Sequence, residues 1–137
     1  MIVVAVIAIL AAVAYPSYQN SIVRSNRTTV QGDLQAAAAA MNAFRAQNFT
    51  YQGATLGAAG VFRATSPESG AVQYDLVFAD NSTTNPTAST FIIYAKPKAG
   101  SSQAGTGALG INQAGERCWN TASQTSCTPG ASGQGWK

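Results

Sequence analysis

The sequence predicts an α+β domain in which one long N-terminal helix packs, by its C-terminal half, on a four-stranded antiparallel sheet. An uncharged apolar stretch at residues 1–15 continues without a break into an alanine-rich helical pattern. The second half of the chain contains short β-branched and aromatic segments, separated by stretches rich in Gly, Ser and Pro. A helix and strands that are segregated along the chain are typical of an α+β layer arrangement.

The helix is predicted from Met1 to about Gln47, a length of about 70 Å at 1.5 Å per residue. Its C-terminal half carries an apolar stripe, in which steps of four and three residues from Val30 onward place the side chains on one face. We expect helix–sheet packing through Val30, Leu34, Met41 and Phe44. Pro16 is expected to kink the helix, because it has no N–H to donate and its ring clashes with the preceding turn.

Three segments are predicted to form the strands. Val72–Phe78 alternates moderately between apolar and polar side chains, and Phe91–Ala95 is β-branched and aromatic, as expected of a central strand. Gly107–Trp119 is predicted as a hairpin with its turn near Gln113–Gly115. Together these segments supply the four antiparallel strands.

The connecting segments are predicted to be irregular from their composition. Gly53–Gly70 is rich in Gly, Ala and Ser and contains Pro67, and Asn81–Ser89 is a polar loop. The tail Thr128–Lys137 is rich in Gly and Ser. We expect this tail to be poorly ordered unless Trp136 packs on the domain.

The residue types present argue against an enzyme. The chain contains no histidine, so it has no Ser–His or Cys–His pair for nucleophilic catalysis. Its acidic residues are isolated along the sequence and are interpreted as ordinary solvated or turn carboxylates: Asp33, Glu68, Asp75, Asp80 and Glu116. The glycines around residues 100–110 do not form a phosphate-binding loop. We therefore predict no enzymatic activity, no cofactor and no metal site.

The charge balance is slightly basic, with a formal net charge of +3 and 9% charged residues. No basic run is present, so composition alone does not indicate nucleic-acid binding. Lys96 and Lys98 flank Pro97 and, with the loop between the cysteines, are a weak indication of a DNA contact. A chain poor in charge and rich in small residues suits export or packing against copies of itself.

The two cysteines, Cys118 and Cys127, lie close together near the C-terminus. A disulfide that closes a short loop fits this spacing and indicates an oxidising compartment. Such a loop contributes roughly 2–3 kcal/mol in the loop-entropy model. Two free thiols in a cytosolic protein are the alternative.

The apolar N-terminus allows three interpretations. Residues 1–15 are fewer than the ~20 that a membrane-spanning helix needs. They match a signal-peptide core with an A-x-A site at Ala12–Ala14, although no positive charge precedes it. A buried core helix would need apolar partners on every side. The third interpretation is a membrane-spanning or filament-core helix that presents Ile2, Val3, Val4, Val6, Ile7, Ile9, Leu10 and Val13.

The stretch MIVVAVIAILAAVAYPSYQNSIVRSNRT resembles the N-terminal region of type IV pilins, in its apolar run, Pro16, Tyr18-Gln19 and Arg24. Three further segments are similar to PilE-like minor pilins. These are LQAAAAAMNAFRAQNFTY at 34–51, FIIYAKP at 91–97 and GALGINQAGERCW at 107–119. The resemblance thus extends over most of the chain.

The resemblance implies the type IV pilin fold and a structural subunit of a type IV pilus. Residues 1–21 would hold the subunit in the bacterial inner membrane and then form the filament core, and residues 22–137 would be the globular domain. The partners it implies are copies of the chain, other pilins and the pilus assembly machinery, with DNA weakly supported. The assembled pilus would be extracellular. Several family residues, among them a glutamate that helps to set the register between subunits, are expected to precede Met1.

Single residues carry further expectations. The resemblance assigns the disulfide to Cys118 and Cys127, and Arg24 and Arg27 are expected to meet acidic groups of neighbouring subunits or lipid headgroups, or to form a solvated helix face. Major or minor subunit, and adhesion, twitching or DNA uptake, stay open. The alternatives are a type II secretion pseudopilin and, from another class, a secreted binding domain cleaved after Ala14.

Overall fold

The computed structural model describes residues 1–79 and 86–136, and it confirms the α+β architecture. One long helix comes first, and the strands follow it in a single antiparallel sheet of order β1-β2-β3-β4-β5. The elements are α1 at Ile2–Asn48, β1 at Thr65–Ser66, β2 at Tyr74–Phe78, β3 at Ile92–Pro97, β4 at Ala108–Asn112 and β5 at Arg117–Asn120. The predicted loop at Asn81–Ser89 lies partly outside the described residues, as do Asp80 and Lys137.

The helix begins and ends within one residue of its predicted bounds. Phe49 follows it with a left-handed backbone, at φ 61°, and donates its N–H to the carbonyl oxygen of Arg45. This hydrogen bond satisfies one of the carbonyl groups that the last turn leaves without a partner. The helix continues on both sides of Pro16, and the kink there stays a prediction.

The expected number of four strands is wrong by one. Thr65–Ser66 forms β1 inside the stretch predicted to be irregular, and it pairs with Asp75 and Tyr74 of β2. Two residues are too few to show an alternating pattern, so the sequence carries no signal for this strand. A tertiary contact places it, because the hydroxyl of Ser66 donates a hydrogen bond to the carboxylate of Asp33 on the helix.

The main core lies between α1 and the face of the sheet that the helix covers. Val30, Leu34 and Met41 are fully buried, and Phe44 is partly buried against the same cluster. The sheet contributes alternate residues of its strands, as the period of two requires: Tyr74, Leu76, Ile93, Ala95, Leu109 and Ile111. Each fully buried aliphatic side chain contributes roughly 1.5–3 kcal/mol, so the C-terminal half of the helix is what holds it to the domain.

The opposite face of the sheet carries a smaller cluster around the disulfide. Cys118 is bonded to Cys127 at a Cα–Cα distance of 5.7 Å, which confirms the predicted bridge and rules out the two free thiols. The hydroxyl of Tyr94 donates a hydrogen bond of 2.9 Å to the carbonyl oxygen of Cys127. Gly110 lies between Tyr94 and Cys118, and a Cβ there would stand 2.8 Å from the Tyr94 ring and 2.9 Å from the Cys118 sulfur. The close approach therefore requires glycine.

The C-terminal tail packs on the domain through Trp136. Its indole N–H donates to the carbonyl oxygen of Cys118 at 2.9 Å, and the N–H of Trp119 donates to the carbonyl oxygen of Gln134. The Trp136 side chain is partly buried against the main core. The tail was expected to be poorly ordered unless Trp136 packs on the domain, and Trp136 does pack there.

Candidate functional site

The N-terminal half of α1 leaves the domain and is exposed along its whole length. All residues from Met1 to Ser21 are exposed, and burial begins at Ile22 and Val23. The predicted filament-core side chains are 50–81% exposed: Ile2, Val3, Val4, Val6, Ile7, Ile9, Leu10 and Val13. By length and composition α1 is able to span a membrane, with a mean hydropathy of 1.9 over an 18-residue window that has no buried residue. The interpretation of this segment as a buried core helix is therefore wrong.

A buried glutamine marks the point where the helix joins the domain. Gln103 is fully buried in the connection between β3 and β4. Its amide nitrogen donates to the carbonyl oxygen of Val23 at 3.2 Å, and its amide oxygen accepts from the hydroxyl of Tyr74 at 2.7 Å. The side chain of Asn26 also donates to the hydroxyl of Ser102 at 3.3 Å. This connection therefore fixes the place at which α1 separates from the sheet.

The hydroxyl of Tyr74 lies in the same polar cluster. Burial raises the pKa of Tyr74 above its ordinary value of 10.0, and contacts with Thr106 and Arg27 lower that pKa in part. The hydroxyl thus stays protonated at neutral pH, where it is able to donate its hydrogen bond to Gln103.

A groove opens where α1 passes the β5 edge of the sheet. Its volume is about 390 Å³, and it is lined by Arg24, Arg27, Thr28, Gln31 and Trp119. The guanidinium of Arg27 lies over the indole of Trp119, 4.2 Å from the ring centroid, in a cation–π contact. The Nε of Arg27 is buried and has no hydrogen-bond partner among the described residues. With two guanidinium groups and no acidic residue in its described lining, the groove suits an anionic group. We call it the arginine groove.

The other flank of the helix carries an ion-paired cluster beside β1. Arg63 binds the carboxylate of Asp33, and its second partner, Glu68, lies 3.6 Å away. The Glu68 side chain is 82% exposed, whereas that of Asp33 is 13% exposed. Within residues 1–79 and 86–136, ion pairs involve Arg63 only. The remaining basic side chains have no acidic partner among the described residues.

Lys96 and Lys98 lie at one end of the sheet with the disulfide loop. Lys96 pairs with Asp75 in the β2–β3 ladder and shares the face of Tyr94, because side chains alternate along a strand. The disulfide loop covers the adjoining end of β4, where the N–H of Ala108 donates to the carbonyl oxygen of Ser123. Lys98 is exposed.

The structure brings Arg24 and Arg27 into one groove but leaves Lys96 and Lys98 at a separate surface. Sequence reasoning missed Trp119 as a wall of that groove and Arg63 as the partner of Asp33. No local pattern could have found them, because both contacts join residues far apart in the sequence. In the described part of the chain no group of His, Cys, Asp and Glu side chains is placed to hold a metal ion.

Comparison with known proteins adds one family. The family model of the type IV minor pilin ComP, a DNA uptake sequence receptor, matches residues 16–119. The match begins after the apolar run and ends within β5, so it rests on the polar part of the helix and on the sheet. No curated protein matches the chain.

Proposed function

The chain belongs to the family of the type IV minor pilin ComP, and from this premise we propose that it assembles into the pilus through its apolar half-helix and receives DNA there. It is a subunit of a type IV pilus. In this proposal residues 1–21 are the membrane anchor and filament core, and residues 22–137 are the globular domain. The DNA part rests first on membership of the family of ComP, a DNA uptake sequence receptor.

The exposed apolar half of α1 carries the assembly part of the proposal. Its aliphatic side chains face solvent in the isolated subunit, and a surface of this size requires a membrane or other subunits to cover it. Burying each such side chain contributes roughly 1.5–3 kcal/mol. The inner membrane covers this surface before assembly, and neighbouring half-helices cover it in the filament. A contact that does not close on itself then propagates as a helix.

The available basic charge supports the DNA part. The formal net charge is +3, and Lys96 and Lys98 form no ion pair within the described residues. Lys96 lies on the face of the sheet that carries Tyr94 and the disulfide, opposite α1. Lys98 is exposed at the same end of the sheet. Lysines in such a position contact phosphates, and the release of counterions then favours binding.

Mass spectrometry of filaments sheared from the native cells tests the assembly part. We expect the chain in the filament fraction, and its abundance separates a major from a minor subunit. A Leu10→Asp variant should be lost from filaments, because a carboxylate is costly in a membrane or an apolar filament core. The matched control, Gln52→Asp, changes an exposed residue of the domain. Absence of the wild-type chain from filaments, with a secreted form starting at Tyr15, would overturn the proposal. Presence of the chain only in a type II secretion complex would identify it as a pseudopilin instead.

Fluorescence anisotropy with a labelled DNA duplex tests the receptor part, with the full chain in detergent. We expect binding that weakens with salt, and replacing Lys96 and Lys98 together by Ala should reduce the slope of log K against log[salt] by about 1.8, or ~0.9 per lost phosphate contact. The Lys96→Arg, Lys98→Arg variant keeps both charges and should bind as the wild type does. An unchanged slope in the alanine variant would place DNA elsewhere, and no binding by the wild type would refute a receptor role.

A further inference from the structure

The two flanks of α1 differ in charge: one carries an exposed carboxylate and the other carries two arginines. Asp33 reaches the β1 edge of the sheet, where Arg63 and Glu68 lie, and Arg27 reaches Trp119 at the β5 edge. Since β1 and β5 are the two outermost strands, these features lie on opposite sides of the subunit. One side therefore presents an exposed acid and the other presents the arginine groove.

The arginine groove has the chemistry of a carboxylate site. The Trp119 ring covers one face of the Arg27 guanidinium. The side chain is therefore already restricted and loses less rotamer freedom when it binds a partner. Arg24 adds a second guanidinium to the same lining. An Arg–carboxylate hydrogen bond is charge-assisted and frequently bidentate, so one acidic side chain would engage donors that have no acidic partner in the described structure.

Glu68 is the acid best placed to enter such a site in a neighbouring copy. Asp33 is already held by Arg63 and Ser66. Glu116 accepts a hydrogen bond from Asn112 and lies against Gly130. Glu68 is 82% exposed and has one partner, Arg63, at 3.6 Å. An exposed pair of this kind contributes little by itself, so the Glu68 carboxylate is free to exchange partners at small cost.

We propose that the arginine groove binds the Glu68 carboxylate of an adjacent copy of this chain, which deepens the proposed function and rests on it. Two copies whose half-helices lie parallel in one membrane or filament present the β5 flank of one to the β1 flank of the next. The contact is heterologous, because each copy uses a different surface, and it therefore leaves a free groove at one end and a free acid at the other. Charge complementarity sets which flank meets which.

Cross-linking of the full chain in vesicles tests this contact. A chain with Thr28→Cys, in the groove lining, and Ser69→Cys, next to Glu68, keeps Arg24, Arg27 and the Glu68 carboxylate. Treated with a mild oxidant, it should form a ladder of dimers, trimers and larger species. A ladder is expected because the contact is head-to-tail, whereas a self-complementary contact would stop at the dimer. The control pairs Ser69→Cys with Arg45→Cys, which lies on the same helix outside the groove, and it should remain largely monomeric. A control ladder of equal yield, or no ladder in the test variant, would refute the contact.

The groove's chemistry is tested in the same assay by Arg27→Gln, added to the test variant. We expect about tenfold less cross-linked product. Raising the salt should cause a similar loss in the test variant that keeps Arg27, since exposed charge pairs are screened. If Arg27→Gln lowers DNA affinity instead and leaves cross-linking unchanged, the groove contacts phosphate and the proposal is overturned. Failure here leaves the pilus assignment intact, because incorporation of the wild-type chain into filaments is measured separately.

Discussion

The side-chain amide of Gln103 donates a hydrogen bond to the backbone carbonyl oxygen of Val23, 80 residues away in the sequence. Val23 lies where α1 first meets the domain, one residue after burial begins. A carbonyl inside a helix already accepts the hydrogen bond of the residue four positions later, so Gln103 adds a second donor at this point. This hydrogen bond fixes the position along α1 at which the exposed half ends and the packed half begins.

Replacing Gln103 by Leu should lower the free energy of unfolding by roughly 1–3 kcal/mol, because the buried hydroxyl of Tyr74 loses its acceptor. Chemical denaturation of the full chain in detergent measures this loss. Hydrogen exchange at residues 23–27 should also become faster. The control, Gln52→Leu, changes an exposed side chain and should leave both values close to wild type. Equal stability of the two variants would contradict a role for Gln103 in this boundary.

Stability should fall as the pH rises above about 10, in a way that depends on Tyr74. Burial raises the pKa of Tyr74 above 10.0, so the folded protein keeps a proton that the unfolded chain loses. The folded state then binds more protons than the unfolded state, and the free energy of unfolding decreases with pH. Tyr74→Phe removes this contribution. The difference in stability between wild type and variant should therefore be constant below pH 9 and shrink above pH 10 in denaturation series, and a constant difference at all pH values would refute it.

Gly110→Ala should destabilise the fold by roughly 1–3 kcal/mol through overpacking. The added Cβ meets the Tyr94 ring and the Cys118 sulfur, and both of these side chains are buried. Gly32→Ala is the matched control with the opposite sign. It lies within α1 with nothing within 4 Å of the new Cβ, so the exchange should stabilise the protein by about 0.5–1 kcal/mol. Thermal unfolding of both variants checks the prediction, and shifts in the same direction would contradict it.

Removing the disulfide should lower stability by roughly 2–3 kcal/mol, as the loop-entropy model gives for a short loop. The bridge joins residues nine apart in the sequence and holds the loop against β4. A Cys118→Ala, Cys127→Ala variant should unfold at a lower denaturant concentration than the wild type. Addition of a reductant should bring the wild type close to the variant and leave the variant itself unchanged. A variant as stable as the oxidised wild type would show that packing alone holds this face of the sheet.

The helix and most of the strands were predictable from local sequence. A stripe of apolar residues at helical spacing requires no knowledge of its partner, and α1 ends within one residue of the expectation. β1 was not predictable, since its two residues are held by Asp33 from a distant part of the chain. The same limit applied to the arginine groove, whose two walls are separated by more than ninety residues.

By itself the sequence determined the long helix, the apolar half that has no partner within the domain and the short disulfide loop. Periodicity and composition encode these features locally, because each depends on residues that are close together in the chain. The tertiary structure alone decided that Arg24 and Arg27 share a groove with Trp119, that Arg63 neutralises Asp33 and leaves Glu68 exposed, and that these features lie on opposite flanks. The physical reason is that packing of the helix across the sheet sets the distances between side chains that no local pattern connects.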